Sequence, residues 1–194
     1  LFLLLGLTAV ICIILGMGMP TTAIYFLLAV LATPPLVKLG VEPIAAHLFV
    51  LYFGLMSMIT PPVALAAFTA AKLAETSPMG GAIAACRFGW PAFVVPFLFV
   101  IAPNLIMIGE PVDIAIVFVT AIAGIWFASA GLTGYFTMRL NLIQRAGYIF
   151  GGLSLLLPSQ AFNGAYIVEI AGGVICTTIL IMERASKKAA AEAN

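Results

Sequence analysis

Charge is what this sequence has least of. Only 8% of its 194 residues are Asp, Glu, Lys or Arg, where a soluble domain carries about 25% to cover its surface. A chain so poor in charge cannot keep a globule in water, and its net charge of +1 offers no basic field for nucleic acid. Histidine is almost missing as well: His47 stands alone, so this chain holds neither a Ser-His-Asp triad nor a His-rich metal site. There is no Gly-x-x-x-x-Gly-Lys-Ser/Thr sequence, which excludes a P-loop and ATP-driven pumping by this chain. Cysteine is sparse and odd in number. Cys12, Cys86 and Cys176 lie in or beside apolar runs and read as small buried hydrophobes, not as a disulfide framework.

What the chain does have is apolar length. Hydrophobic residues make up 64% and the mean hydropathy is +1.24, so the expected fold class is an all-α integral membrane protein. Leu1 opens inside an apolar run with neither Met nor a basic n-region, which predicts a fragment that starts within a membrane segment and not a signal peptide. Uncharged stretches cover 1–37, 43–71, 88–109, 114–138 and 146–168. The last three predict crossings near 88–108, 112–131 and 163–183, with a shorter one near 142–158. Four parts are expected: 1–76 as a site-bearing part, 77–110 as a connecting segment and helix, 111–184 as further membrane helices, and 185–194 as a tail.

The first two stretches do not suit single spans. Residues 1–37 are interrupted by Gly16-Met-Gly-Met-Pro-Thr-Thr22, where two glycines cost about 1 kcal/mol each and Pro20 about 3 kcal/mol in a helix interior. Each flanking arm, 1–15 or 22–37, reaches only about 24 Å, which predicts a re-entrant hairpin. The stretch 43–71 would run to about 43 Å as one helix, but Ser57, Thr60, Pro61 and Pro62 break it, predicting half-helices at 44–58 and 63–74. Irregular backbone at membrane depth survives only where protein buries it or a wet cavity meets it, and two nearby breaks mark a transport site. Half-helix C-termini and freed carbonyls hold Na⁺, half-helix N-termini favour anions, and Thr21, Thr22, Ser57 and Thr60 add hydroxyl oxygens there. No acid lies between Leu1 and Val41, which suits a Na⁺ site built from neutral oxygens better than a proton relay. Glu169, inside the last span, reads as an interfacial or helix-contact residue, His47 as an interfacial one, and Gly147-Tyr-Ile-Phe-Gly151 as tight helix packing. Arg184, Lys187 and Lys188 place the C-terminus in the cytoplasm; counting back, Arg139 and Arg145 lie inside, and the hairpin dips in from the external face.

The text around the two breaks resembles a known family. Gly16-Met-Gly-Met-Pro-Thr-Thr22, Pro34-Pro-Leu-Val-Lys-Leu-Gly-Val-Glu-Pro43 and Ile59-Thr-Pro-Pro-Val-Ala-Leu65 are similar to the large membrane subunit of TRAP transporters, the tripartite ATP-independent periplasmic transporters. The likeness spans about residues 10–104, includes Arg87-Phe-Gly-Trp and Pro96-Phe-Leu-Phe, and is nearest to permeases that fuse the small and large subunits. Many unfused members have Asp where this chain has Pro20. The resemblance implies the second inverted repeat of an elevator-type carrier in the bacterial inner membrane. Such a carrier takes up small organic anions, C4-dicarboxylates among them, with Na⁺ as coupling ion and no cofactor. A periplasmic solute-binding protein, the rest of the permease chain and membrane lipid would be its partners. Gly16, Gly18, Met19, Thr21 and Thr22 would then form the hairpin tip, and Ser57, Thr60, Pro61 and Pro62 the facing break, with Na⁺ held through Thr60, Ser57, Gly16 and Gly18. Two rivals remain at this point. One is another Na⁺-coupled elevator carrier. The other is a non-transporting structural subunit, which predicts continuous helices through Gly16–Thr22 and Thr60–Pro62.

Overall fold

The computed structural model describes residues 1–136, 138–158 and 164–192, with side chains described as far as Arg184. The described residues are mainly helical and fall into two compact units, 1–106 and 107–194. Lys187 and Lys188, used above for orientation, lie outside the described side chains.

In the first unit α1 (Phe2–Gly16) stops at the glycine-rich tip, and α2 (Thr21–Leu31) starts directly after Pro20, whose extended backbone suits an N-cap. The second arm is itself divided at Ala32, ahead of α3 (Thr33–Lys38). Pro34 and Pro35 explain this, because their missing N–H groups leave the carbonyls four residues earlier without helical donors. Thr21–Lys38 is nevertheless long and apolar enough to cross a membrane, unlike the 24 Å arm expected. The hairpin form therefore rests on packing, not on length: Leu4 of α1 lines one small cavity with Leu31 and Pro35, so the arms run back along each other.

Helix α4 (Pro43–Met56) is the axis of this unit. Its Ala45, Ala46, Phe49, Val50 and Phe53 are buried with Leu5, Ala9 and Cys12 of α1, Ile24 and Leu28 of α2, and Leu36 of α3. On its other flank lies α7 (Pro91–Ile101), whose Phe97 meets Phe49 and Phe53 edge-on at 5.3 and 5.5 Å. After the second break come α5 (Leu65–Leu73) and α6 (Pro78–Phe88), packed through alanines so closely that a Cβ on Gly81 would sit 2.6 Å from that of Ala71. The crossing expected at 88–108 is displaced. The long apolar run is Pro78–Ile101, with a step at Gly89–Trp90, and a 3-10 turn at Pro103–Ile106 follows it. Ser77 sets its start: its hydroxyl accepts the Gly80 N–H and Pro78 takes the first helical position.

The second unit is a bundle of α8 (Pro111–Thr133), α9 (Leu142–Leu156) and α10 (Ala165–Glu192). The helix backbone of α10 continues through most of the expected tail. The small-residue pattern of α9 packs as expected: a Cβ on Gly151 would meet Cys176 Sγ at 2.6 Å and the Gly172 carbonyl at 3.0 Å. Gly152 faces α8, where a Cβ would lie 2.6 Å from both the Ala128 nitrogen and the Gly124 carbonyl oxygen. Backbone cannot rotate away, so Gly152→Ala should lower the midpoint of thermal unfolding in detergent, at a cost of about 1–3 kcal/mol. Gly173→Ala, whose nearest neighbour would be 3.6 Å away, should leave it within error. Equal midpoints for the two variants would refute this packing.

Candidate functional site

Both breaks expected in the first unit are present. Helix stops at Gly16 and restarts at Thr21, and stops again at Met56 and restarts at Leu65. The continuous helices required by a purely structural subunit are not there.

The tip and the second break meet at the end of α4. A Cβ on Gly16 would fall 2.7 Å from Ser57 Oγ and 2.9 Å from the Gly54 carbonyl oxygen, so the last residue of α1 lies flush on the last turn of α4. Only glycine allows that approach. Gly54 performs the same service for the second arm, since a Cβ there would strike Ile24 Cγ2 at 2.6 Å. Two helix C-termini, those of α1 and α4, thus end against one another, and each contributes the negative end of its macrodipole. Only Lys38 is charged in the first 41 residues, so no carboxylate shares the hairpin with them.

The hydroxyls at the break are oriented by their own helix. Ser57, only 1% exposed, donates its Oγ–H to the Gly54 carbonyl at 2.6 Å, and Thr60 donates to the Met56 carbonyl at 2.6 Å. Tight backbone turns occupy the same carbonyls: Ser57 N–H reaches Gly54 O, Met58 N–H reaches Leu55 O, and Ile59 and Thr60 N–H both reach Met56 O. The carbonyls that Pro61 and Pro62 deprive of helical donors are those of Ser57 and Met58, and the Met58 carbonyl accepts instead from the Ala66 N–H at 3.0 Å. What the arrangement leaves is two hydroxyl oxygens with their hydrogens already committed. Such an oxygen can only accept, which suits a cation and not an anion.

The other predicted residues are placed as follows. Gly18 takes φ +80°, the left-handed region that favours glycine, and has open space where a side chain would stand. Met19 packs against the core of the unit. Thr21 and Thr22, exposed at the start of α2, line a recess of about 410 Å³ with Tyr25, Phe26, Leu51 and Leu55. Pro61 and Pro62 carry the chain away toward α6, where the Ile59 carbonyl accepts from Cys86 Sγ at 3.3 Å and Ile59 Cδ1 lies against Gly89.

Three features had no signal in the sequence. Gly54 reads as an ordinary helical glycine. Tyr25 Oη and His47 Nδ1 are 3.1 Å apart, tying the second arm to α4. Ala64, fully buried, holds φ +35° as the N-cap of α5, a left-handed conformation that costs a non-glycine residue about 1–2 kcal/mol. Its methyl group packs with Ala67 and Ala82, which fixes how the chain re-enters helix after the break.

Comparison with known proteins agrees with this architecture. Residues 1–139 match the family model described as the tripartite ATP-independent periplasmic transporter, DctM component. That match covers the whole first unit and ends in the loop between α8 and α9. No curated protein and no solved structure matches the chain.

Proposed function

Since the chain belongs to the DctM-component family of tripartite ATP-independent periplasmic transporters, we propose that it forms the Na⁺-binding half of a fused permease for small organic anions. The observation that carries this reading is the junction of Gly16 with Gly54 and Ser57. There two helix C-termini and the Ser57 hydroxyl gather neutral oxygens, the Thr60 hydroxyl follows three residues on in the chain, and no acid stands among the hairpin residues. Na⁺ neutralises that cluster, and the occupied site then holds the hairpin tip in a form that closes over substrate. The start of α2, with Thr21 and Thr22 on an open recess, supplies N–H groups and a positive dipole end for a carboxylate. Substrate, C4-dicarboxylates among the candidates, arrives from a periplasmic solute-binding protein. The protein lies in the bacterial inner membrane with its C-terminus in the cytoplasm, and the hairpin moves with its domain as an elevator.

The test is uptake into proteoliposomes holding the full-length permease, with its cognate binding protein outside and a labelled C4-dicarboxylate. Uptake should require both an inward Na⁺ gradient and the binding protein. Equal uptake with K⁺ replacing Na⁺ under a proton gradient would sink the coupling assignment.

A further inference from the structure

The second unit holds a recess that the transport reading does not use. The chain leaves α8 at Gly134 (φ +76°), turns through Tyr135 and Arg139, which pair as an isolated antiparallel bridge, and enters α9 at Leu142. This short loop is pinned from three sides. The Glu183 carboxylate of α10, fully buried, accepts the Met138 N–H at 2.9 Å through Oε1 and the Tyr148 hydroxyl at 3.2 Å through Oε2. Arg145 of α9 donates to the Gly131 and Leu132 carbonyls at 3.1 and 3.2 Å, closing the end of α8. Phe136 lies among the rings of Trp126, Phe127 and Tyr148, with centroids 5.7–6.3 Å away. The loop is a preformed rim.

Below that rim a recess of about 430 Å³ is lined by Trp126, Ser129, Ala130, Thr133, Tyr135 and Phe136. It occupies the last two turns of a 23-residue helix long and apolar enough to cross the membrane, and therefore sits where hydrocarbon gives way to headgroups. Trp126 and Tyr135 are 63% and 59% exposed, the amphipathic ring types that settle at this depth. Ile122 and Val119, one and two turns further into the span, are exposed at helical spacing from Trp126 and continue its apolar track. Among the described residues the exposed charge at the mouth is positive, the Glu183 carboxylate being buried beneath the loop. Residues paired across an antiparallel bridge send their side chains to the same face, so Arg139 leaves on the side of Tyr135. Arg139 is exposed and forms no ion pair with a described residue. Arg145, by contrast, is committed to carbonyls.

A single cation over an aromatic recess with an apolar track beneath it complements one kind of molecule: an amphiphile with a phosphate on acyl chains. We infer that this rim and recess bind the headgroup of an anionic phospholipid, with Arg139 on the phosphate, Trp126 and Tyr135 beside the glycerol region, and an acyl chain along Ile122 and Val119. The inference rests only on α8 crossing the membrane, not on the transport reading.

Trp126 is its own probe. The full-length protein and its Trp126→Phe variant would be reconstituted in phosphatidylcholine vesicles doped with dibrominated phosphatidylglycerol or dibrominated phosphatidylcholine. The difference between the two proteins isolates Trp126 fluorescence. Half-maximal quenching should need about fivefold less of the anionic lipid, the factor one basic side chain supplies near an anionic headgroup. Arg139→Gln, an exposed position whose change spares the fold, should bring the two lipids together. Equal quenching by both lipids in the wild type would overturn the assignment, as would a preference that survives Arg139→Gln. A shift of Trp126 emission on adding millimolar inorganic phosphate to plain phosphatidylcholine vesicles would also overturn it, because the site would then take free phosphate.

Discussion

Gly16→Val should reduce Na⁺-driven uptake by about 5- to 150-fold, while Gly6→Val, in the same helix, leaves it near wild type. The two glycines differ only in what stands beside them. A Cβ on Gly6 meets nothing within 4 Å, whereas one on Gly16 meets the Ser57 hydroxyl and the Gly54 backbone oxygen below 3 Å. Backbone at the end of a packed helix cannot yield as a flexible side chain does, so the tip must lift from α4. Overpacking of this kind costs about 1–3 kcal/mol, and each 1.4 kcal/mol is a factor of ten in the population of the seated hairpin. The extra cost of a β-branched residue in a helix falls more on Gly6→Val, in the interior of α1, than on Gly16→Val at its last residue, and so works against the expected difference. The measurement is initial uptake at saturating Na⁺, normalised to the amount of protein in the membrane. Comparable losses for both variants would mean that the tip does not work against Ser57.

The Na⁺ dependence should move when the two hydroxyls at the break are removed one at a time. Ser57→Ala and Thr60→Ala should each raise the Na⁺ concentration for half-maximal uptake by about 10- to 150-fold, the equivalent of losing a ligand worth about 1.5–3 kcal/mol to a charged partner. Thr69→Ala is the matched control. Its Oγ–H also donates to its own helix, to the Leu65 carbonyl at 2.8 Å, but it lies in α5 on an exposed face. Ser57→Ala keeps the Ser57 N–H on the Gly54 carbonyl, so the turn itself persists and expression should be normal. A Na⁺ titration in which Thr69→Ala shifts as much as the other two would remove the ion site from this break.

These two experiments separate geometry from chemistry. Gly16 tests whether the tip has to seat on α4, and the hydroxyls test what the seated tip holds. A tip that must seat but shows no hydroxyl effect would leave the hairpin as a gate whose ion lies elsewhere.

Where the helices stop was legible in the sequence, and the reason is local. Gly-Met-Gly-Met-Pro, Thr-Pro-Pro and the long uncharged runs act through backbone conformation and hydropathy, which each residue carries wherever it sits. The membrane class, both breaks and the small-residue face of α9 followed from that alone. The extra division at Ala32 was readable in the same way from Pro34 and Pro35, but the apolar length of the arm concealed it. What the breaks face was decided only by tertiary structure. That Gly54 is the floor under both arms, that Gly16 seats on Ser57, and that Tyr25 reaches His47 depend on neighbours 22 to 41 residues away in sequence. Glu183 is the clearest case. Beside Arg184 it reads as the charged end of a span, yet its carboxylate is fully buried and grips a loop 45 residues earlier. A buried charge must find donors to offset its lost hydration, and those donors, the Met138 N–H and the Tyr148 hydroxyl, come together only when three helices have packed.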